Sequence, residues 1–130
     1  MMKEIIVDTS VFISYFRKSL PQRKQFEDLL DSAYIILTSP VQVELLSGCS
    51  KKNIEFLSEI ILSLETYYPT TEDWRKVARW SKSLSMKGDR FGLADLLIVA
   101  IADSQKSPVW SLDSDFKRLS KHCSVKLFNP

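Results

Sequence analysis

The chain has little soft-ligand chemistry to offer, with two cysteines and one histidine in 130 residues. Cys49 and Cys123 lie far apart without CxxC spacing, which excludes a structural zinc site and leaves both thiols expected to be reduced and structural. His122 falls in a polar stretch before the last strand and reads as a surface residue, not a general base. No sign of charge dominates. Lys and Arg total 18 against 16 Asp and Glu, and a net +2 cannot hold a polyanion by overall attraction. No apolar run approaches the roughly 18 residues a membrane-spanning helix requires. Lys3 and Glu4 ahead of Ile5 are too short and too quickly acidic for a signal peptide. A soluble, cytoplasmic protein is expected. With no repeat, linker or low-complexity segment, and 45% hydrophobic residues, residues 1–130 are expected to form one domain around one core.

What is present is an alternation of strands and helices. Ile5-Ile6-Val7 is a β-rich run that stops at Asp8-Thr9-Ser10, whose polar side chains can cap a helix. Arg23 to Ala33 places Phe26, Leu29, Leu30 and Ala33 at helical spacing. Tyr34 to Leu37 reads as a second buried strand, followed by a helix with Ser39 as N-cap, Pro40 at its first position and Gly48 closing it. A helix from about Lys51 gives way to the β-prone Thr66-Tyr67-Tyr68, and another follows Thr70, with Trp74, Val77, Ala78 and Ser81 as its inner face and Gly88 at its end. Leu93 to Ala102 is apolar on nearly every face except at Asp95, which predicts an enclosed helix. Val109 to Leu112 and Val125 to Phe128 supply a fourth and a fifth strand. The pattern predicts an α/β fold with a parallel sheet flanked by helices.

In open parallel sheets ligands bind beyond the carboxyl ends of the strands, so acids just after strands are the first site candidates. Asp8 follows the first strand and Asp113 the fourth, with Asp115 two residues later, while Glu44 lies about one turn into the helix leaving the second. Asp95 sits near the start of its helix, where the helix dipole favours a carboxylate. Each has a plainer role: Asp8 and Asp115 as helix caps, Asp113 in a turn, Glu44 as a solvated helix residue. Asp95 fits its plainer role least, because an acid among Leu93, Ala94, Leu96, Leu97 and Ile98 is rarely buried without a partner. Together, unpaired carboxylates repel and raise one another's pKa unless a divalent cation neutralises them. An all-oxygen set suits Mg²⁺ or Mn²⁺ over zinc or copper. Water activated by such an ion can attack a phosphodiester in line without a covalent nucleophile.

Four stretches resemble, in order, the motifs of PIN-domain nucleases. They are Ile6-Val7-Asp8-Thr9-Ser10-Val11-Phe12-Ile13, then Ser39-Pro40-Val41-Gln42-Val43-Glu44-Leu45-Leu46-Ser47-Gly48, then Ala94 to Ala102, and then Ser111-Leu112-Asp113-Ser114-Asp115-Phe116. The resemblance spans nearly the whole chain. It implies a PIN-like three-layer sandwich with a sheet of about five strands in the order 3-2-1-4-5, a Mg²⁺ or Mn²⁺ site, and cleavage of single-stranded RNA. It assigns ligand and catalytic roles to Asp8, Glu44, Asp95 and Asp113, an auxiliary role to Asp115, and orienting roles to the hydroxyls of Ser10 and Ser111. The compact form is similar to VapC-type toxins, which implies a homodimer and a small antitoxin partner. Two alternatives stay open: a catalytically silent PIN-like module that binds RNA or protein, and an RNA-processing nuclease with no toxin role.

Other features carry less. Asp89 is an alternative ligand, although Gly88-Asp89 reads better as a turn. Basic groups such as Arg17-Lys18, Arg23-Lys24 and Lys51-Lys52 can contact phosphate or simply solvate helix faces. Trp80 lies off the expected inner stripe of its helix and is a candidate interface residue.

Overall fold

The computed structural model describes residues 4–130; Lys3, invoked above, lies outside them. Every residue of β1 (Ile5–Val7) is buried, as expected of a short β-branched run covered on both faces. In register, Ile5 and Ile6 face Ile35 and Ile36 of β2 (Ile35–Thr38), while Ile6 and Val7 face Val109 and Trp110 of β4 (Val109–Trp110). β3 (Glu65–Tyr67) lies against the outer side of β2. All pairings are parallel, and the order is β3-β2-β1-β4.

Among the described residues the sheet therefore has four strands, where about five were expected. The fourth is also shorter than Val109 to Leu112. Pro108 has no N–H to donate to the ladder on one side of β4, and on the other Ser111 turns its hydroxyl toward Asp8. So short a strand leaves little for a fifth to pair with. Val125 to Phe128 reaches its outer edge through a single bridge, Val109 to Leu127. Its two flanking hydrogen bonds run from Val109 N to Lys126 O at 2.9 Å and from Phe128 N to Val109 O at 2.7 Å. The segment lies where a fifth strand was expected, outside β4.

Among the described residues seven helices flank the sheet: α1 (Thr9–Phe16), α2 (Arg23–Asp31), α3 (Ser39–Gly48), α4 (Ile54–Ser63), α5 (Thr71–Met86), α6 (Leu93–Gln105) and α7 (Ser114–Leu119). α6 is the enclosed helix the sequence predicts: every residue from Leu96 to Ala102 is buried, with α5 and α3 packed against it. Three local expectations change. Thr38, not Ser39, is the N-cap of α3, which places Pro40 one position further into the first turn, and the helix runs through Gly48 to a cap at Cys49. α2 stops at Asp31, because Ala33 adopts a left-handed φ of 60°.

The inner face of α5 is Asp73, Val77 and Leu84, with Trp80 packed on the core, whereas Trp74 is exposed. A capping box causes this offset. Asp73 N donates to Thr70 Oγ1 at 3.1 Å and Thr70 N to Asp73 Oδ2 at 2.9 Å, which turns position 73 inward. Asp73 then accepts from the Ser104 hydroxyl, and Lys76 pairs with Asp103 at 2.8 Å. These bonds fasten α5 to the C-terminal end of α6.

Cys49 and Cys123 are both free thiols. Burial, and secondarily Asp103, pushes the Cys123 thiol up to about 11, so it stays protonated and unreactive.

Candidate active site

The carboxyl edge of the sheet collects the acids. Asp8 leaves β1 and caps α1, accepting from Ser10 N at 3.4 Å, and its own N–H still follows the strand ladder, donating to Trp110 O at 2.9 Å. Asp113 follows β4 and caps α7, accepting from Asp115 N at 2.9 Å. Both acids are therefore helix caps; on α7 the cap is Asp113, where a turn was expected, and Asp115, expected as a cap, lies in the first turn of the helix.

Two hydroxyls hold the motifs in register. Ser10 Oγ donates to Asp8 Oδ2 at 2.8 Å and accepts from Leu112 N at 3.0 Å. Ser111 Oγ donates to the same Oδ2 at 2.8 Å and accepts from Asp113 N at 2.9 Å. Each hydroxyl has one proton, and both go to Asp8, so the 3.3 Å approach between the two oxygens is a contact that neither proton serves. Asp8, only 4% exposed, is thus locked by one oxygen. Its other oxygen takes no hydrogen bond among the described residues. Thr9 Oγ1 donates to Glu44 Oε1 at 2.8 Å and ties α3 to the same edge. This role of Thr9 was not anticipated, although its place beside Asp8 in the first motif was a usable signal.

Asp95, Asp113 and Asp115 come closest together, each offering one oxygen within 4.8 Å of the others. Opposite oxygens on one Mg²⁺ lie about 4 Å apart, so a small side-chain adjustment lets one hard cation span this set. The donor chemistry fits such an ion: carboxylates only, with no thiolate or imidazole in the group. Asp8 and Glu44 lie just outside this triad. Asp115, treated as auxiliary on sequence grounds, is one of its three members. Asp89 is not in it; its carboxylate is engaged by Arg118, with His122 Nε2 at 3.4 Å, and Gly88 beside it takes the left-handed φ of 76° that a turn needs.

The electrostatics record the crowding. Burial first, then the charges of Asp8, Asp113, Glu44 and Asp115, push the Asp95 carboxyl from 3.8 up to about 7. The folded chain therefore holds on Asp95 a proton that the unfolded chain releases. Metal-free protein should lose stability as pH rises between these two values, with the loss complete above about 7. Discounted for partial exposure, the loss is ~1–2 kcal/mol, or roughly 5 °C in Tm. Thermal melts in EDTA at pH 5 and pH 8 measure it. The drop should shrink in Asp95→Asn, and Mg²⁺ or Mn²⁺ should restore stability chiefly at pH 8.

A groove of about 420 Å³ opens beside the cluster. Ile13, Phe16 and Phe56 line it together with Arg17, Lys18 and Arg23, and Glu44 belongs to both groove and site. Phe56 is 56% exposed and meets Phe16 edge-on at 6.1 Å between ring centroids.

Comparison with known proteins shows the family. The PIN domain profile matches residues 5–122. Ribonuclease VapC1 of Methanocaldococcus jannaschii is 30% identical over 128 residues, covering 97% of this chain and 88% of its own. The DNA-bound VapBC of Salmonella typhimurium shares the fold with a TM-score of 0.79 at 20% identity, over 98% of both chains. VapBC-5 of Mycobacterium tuberculosis, a member of the VapBC family of toxin-antitoxin systems, superposes with a TM-score of 0.68 at 26% identity, over 99% of this chain and all of its own. With its four motifs gathered on one sheet edge and the profile running from β1 past α7, the chain belongs to the PIN domain family.

Proposed function

We propose that the protein is a metal-dependent endoribonuclease, the toxin of a toxin–antitoxin pair, with residues 1–130 acting as one catalytic domain. The observation that carries this reading is the convergence of Asp95, Asp113 and Asp115 within ligand-sharing distance, with Asp8 and Glu44 close enough to raise the Asp95 pKa. The relationship to Ribonuclease VapC1 supports RNA as the substrate.

Asp95, Asp113 and Asp115, with Asp8 and Glu44 beside them, would hold Mg²⁺ or Mn²⁺. When bound, the ion supplies an acidified water and offsets charge on the phosphate oxygens. The chain's own residues do the rest. Ser10 and Ser111 fix Asp8 through one oxygen and leave the other without a hydrogen bond, and Thr9 steadies Glu44. Asp95 is half-buried, whereas Asp113 and Glu44 are exposed, so the cluster is reached from solvent. No Lys or Arg other than Arg118 pairs with a cluster acid among the described residues, so the carboxylates stay available. VapBC-5, a member of a family of toxin-antitoxin systems, supports a small antitoxin partner, and a homodimer belongs to the same proposal; the groove beside Glu44, with its exposed Phe56, offers a protein partner a surface. A cytoplasmic setting belongs to the same reading, supported by the two free thiols.

Purified protein should cut a mixed single-stranded RNA pool with Mg²⁺ or Mn²⁺ and leave it intact in EDTA. RNA left whole under every metal condition would move the silent binding module ahead.

A further inference from the structure

Arg118 was singled out by no motif, yet it makes three directed contacts beside the cluster. On α7, its Nη1 donates to Asp115 Oδ1 at 2.8 Å. Its Nη2 engages Asp89, and its guanidinium lies over the Phe91 ring, 4.5 Å from the centroid. Asp89 and Phe91 belong to the short stretch that enters α6 at its N-cap Gly92, three residues before Asp95. One planar group therefore joins the segment leading to Asp95 with the helix that carries Asp115 and is capped by Asp113.

We propose that Arg118 is a positioning residue, a strut that sets the spacing between the starts of α6 and α7 and so the separation of the three clustered carboxylates. This rests on the metal-dependent reading above. Two nitrogens of a rigid fork meet carboxylates on two different elements, and stacking on Phe91 fixes the plane of the fork. A single exposed ion pair holds geometry poorly; three contacts on one rigid group hold it well. Arg118 also occupies only one oxygen of Asp115, which leaves Oδ2 for a cation. A competing account makes Arg118 a mere counter-charge that relieves repulsion among the acids. The two accounts diverge for lysine, which keeps the charge but is a point donor unable to span both carboxylates or stack as a plane.

The test measures Mn²⁺ affinity by electron paramagnetic resonance of free Mn²⁺, together with kcat and KM on RNA, for Arg118→Lys, Asp89→Asn and the double variant, each checked for folding by circular dichroism. The strut predicts that Arg118→Lys binds Mn²⁺ about tenfold more weakly and loses about tenfold in kcat, with KM unchanged. Asp89→Asn should move both in the same direction by less, and the double variant should be no worse than Arg118→Lys, because both changes break one strut. Wild-type affinity and kcat in Arg118→Lys, or multiplicative losses in the double variant, would overturn it. A raised KM at unchanged kcat would make Arg118 a phosphate contact instead, and also overturns it. These outcomes sink the strut while the wild type still binds Mn²⁺ and cleaves RNA. A wild type that does neither sinks the nuclease reading, and the strut with it.

Discussion

Asp95→Asn should reduce metal-dependent RNA cleavage by about 10³-fold or more while leaving the protein folded. The substitution keeps shape and volume and removes only the charge of the acid that sits among Asp8, Glu44, Asp113 and Asp115. A cation at this cluster contributes several kcal/mol of charge stabilisation, and each 1.36 kcal/mol is a factor of ten in rate. Loss of ~4 kcal/mol accounts for the predicted drop. The same change should have the opposite effect on metal-free stability. At pH 8 the wild-type carboxylate is ionised in a part-buried, like-charged setting, so the neutral amide should melt slightly higher in EDTA and lose most of the gain that Mn²⁺ gives the wild type. Activity down, metal-free Tm level or up, and metal response lost form one signature. Near-wild-type cleavage would remove Asp95 from the site; a collapse of Tm in EDTA would assign it to the fold instead.

The largest effect on stability should come from Trp110→Ala. Trp110 is 1% exposed on β4, with ring centroids 6.0 Å from Phe26 and 5.3 Å from Phe128. Truncation should cost ~3–5 kcal/mol, by lost burial plus the cavity left behind. A domain is typically stable by only ~5–15 kcal/mol, so the variant should be marginal, with a Tm lower by roughly 10–20 °C. Trp110→Phe should cost far less, for a specific reason. The indole Nε1 is buried without a hydrogen-bond partner, so phenylalanine loses area but also removes an unsatisfied donor. Denaturant midpoints at constant m-value would measure both. A loss as large for Phe as for Ala would mean that the indole has a partner after all. Because the chain passes from Trp110 straight into Ser111 and Asp113, the alanine variant should also lose cleavage, and excess Mn²⁺ should recover part of both losses by binding only the folded form.

The acids could be read from the sequence because their placement follows from strand ends. Asp8 and Asp113 follow β-rich runs, and a parallel sheet puts those ends on one edge. Asp95 stood out because a lone acid in an apolar helix lacks any other explanation. Asp115 could not be placed from sequence because its position also suits a helix cap; only the turn of α7 brings its carboxyl near Asp95. Arg118 was invisible for a related reason. It is one turn from Asp115, an ordinary helical pair, while its second partner, Asp89, is 29 residues away. The face of α5 was misjudged by one residue because apolar periodicity favoured Trp74, whereas a buried capping box turned Asp73 inward. The fifth strand was overcalled because β propensity says nothing of how many residues a neighbour such as β4 offers for pairing.

β1 also imposes an order on how the site comes into being. Its partners are Ile35 and Ile36 on one side and Val109 and Trp110 on the other, the second about a hundred positions downstream. Closing so long a loop costs entropy before any contact rewards it, and parallel pairings of this kind form late. During synthesis β1 and β2 can pair while the ribosome is still adding α5 and α6, but one side of β1 stays open until Val109 emerges. Asp113 and Asp115 follow within six residues. Asp8 and Glu44 are therefore made long before the residues that complete them, and the carboxylate cluster forms only once β4 has docked and brought Asp113 and Asp115 with it.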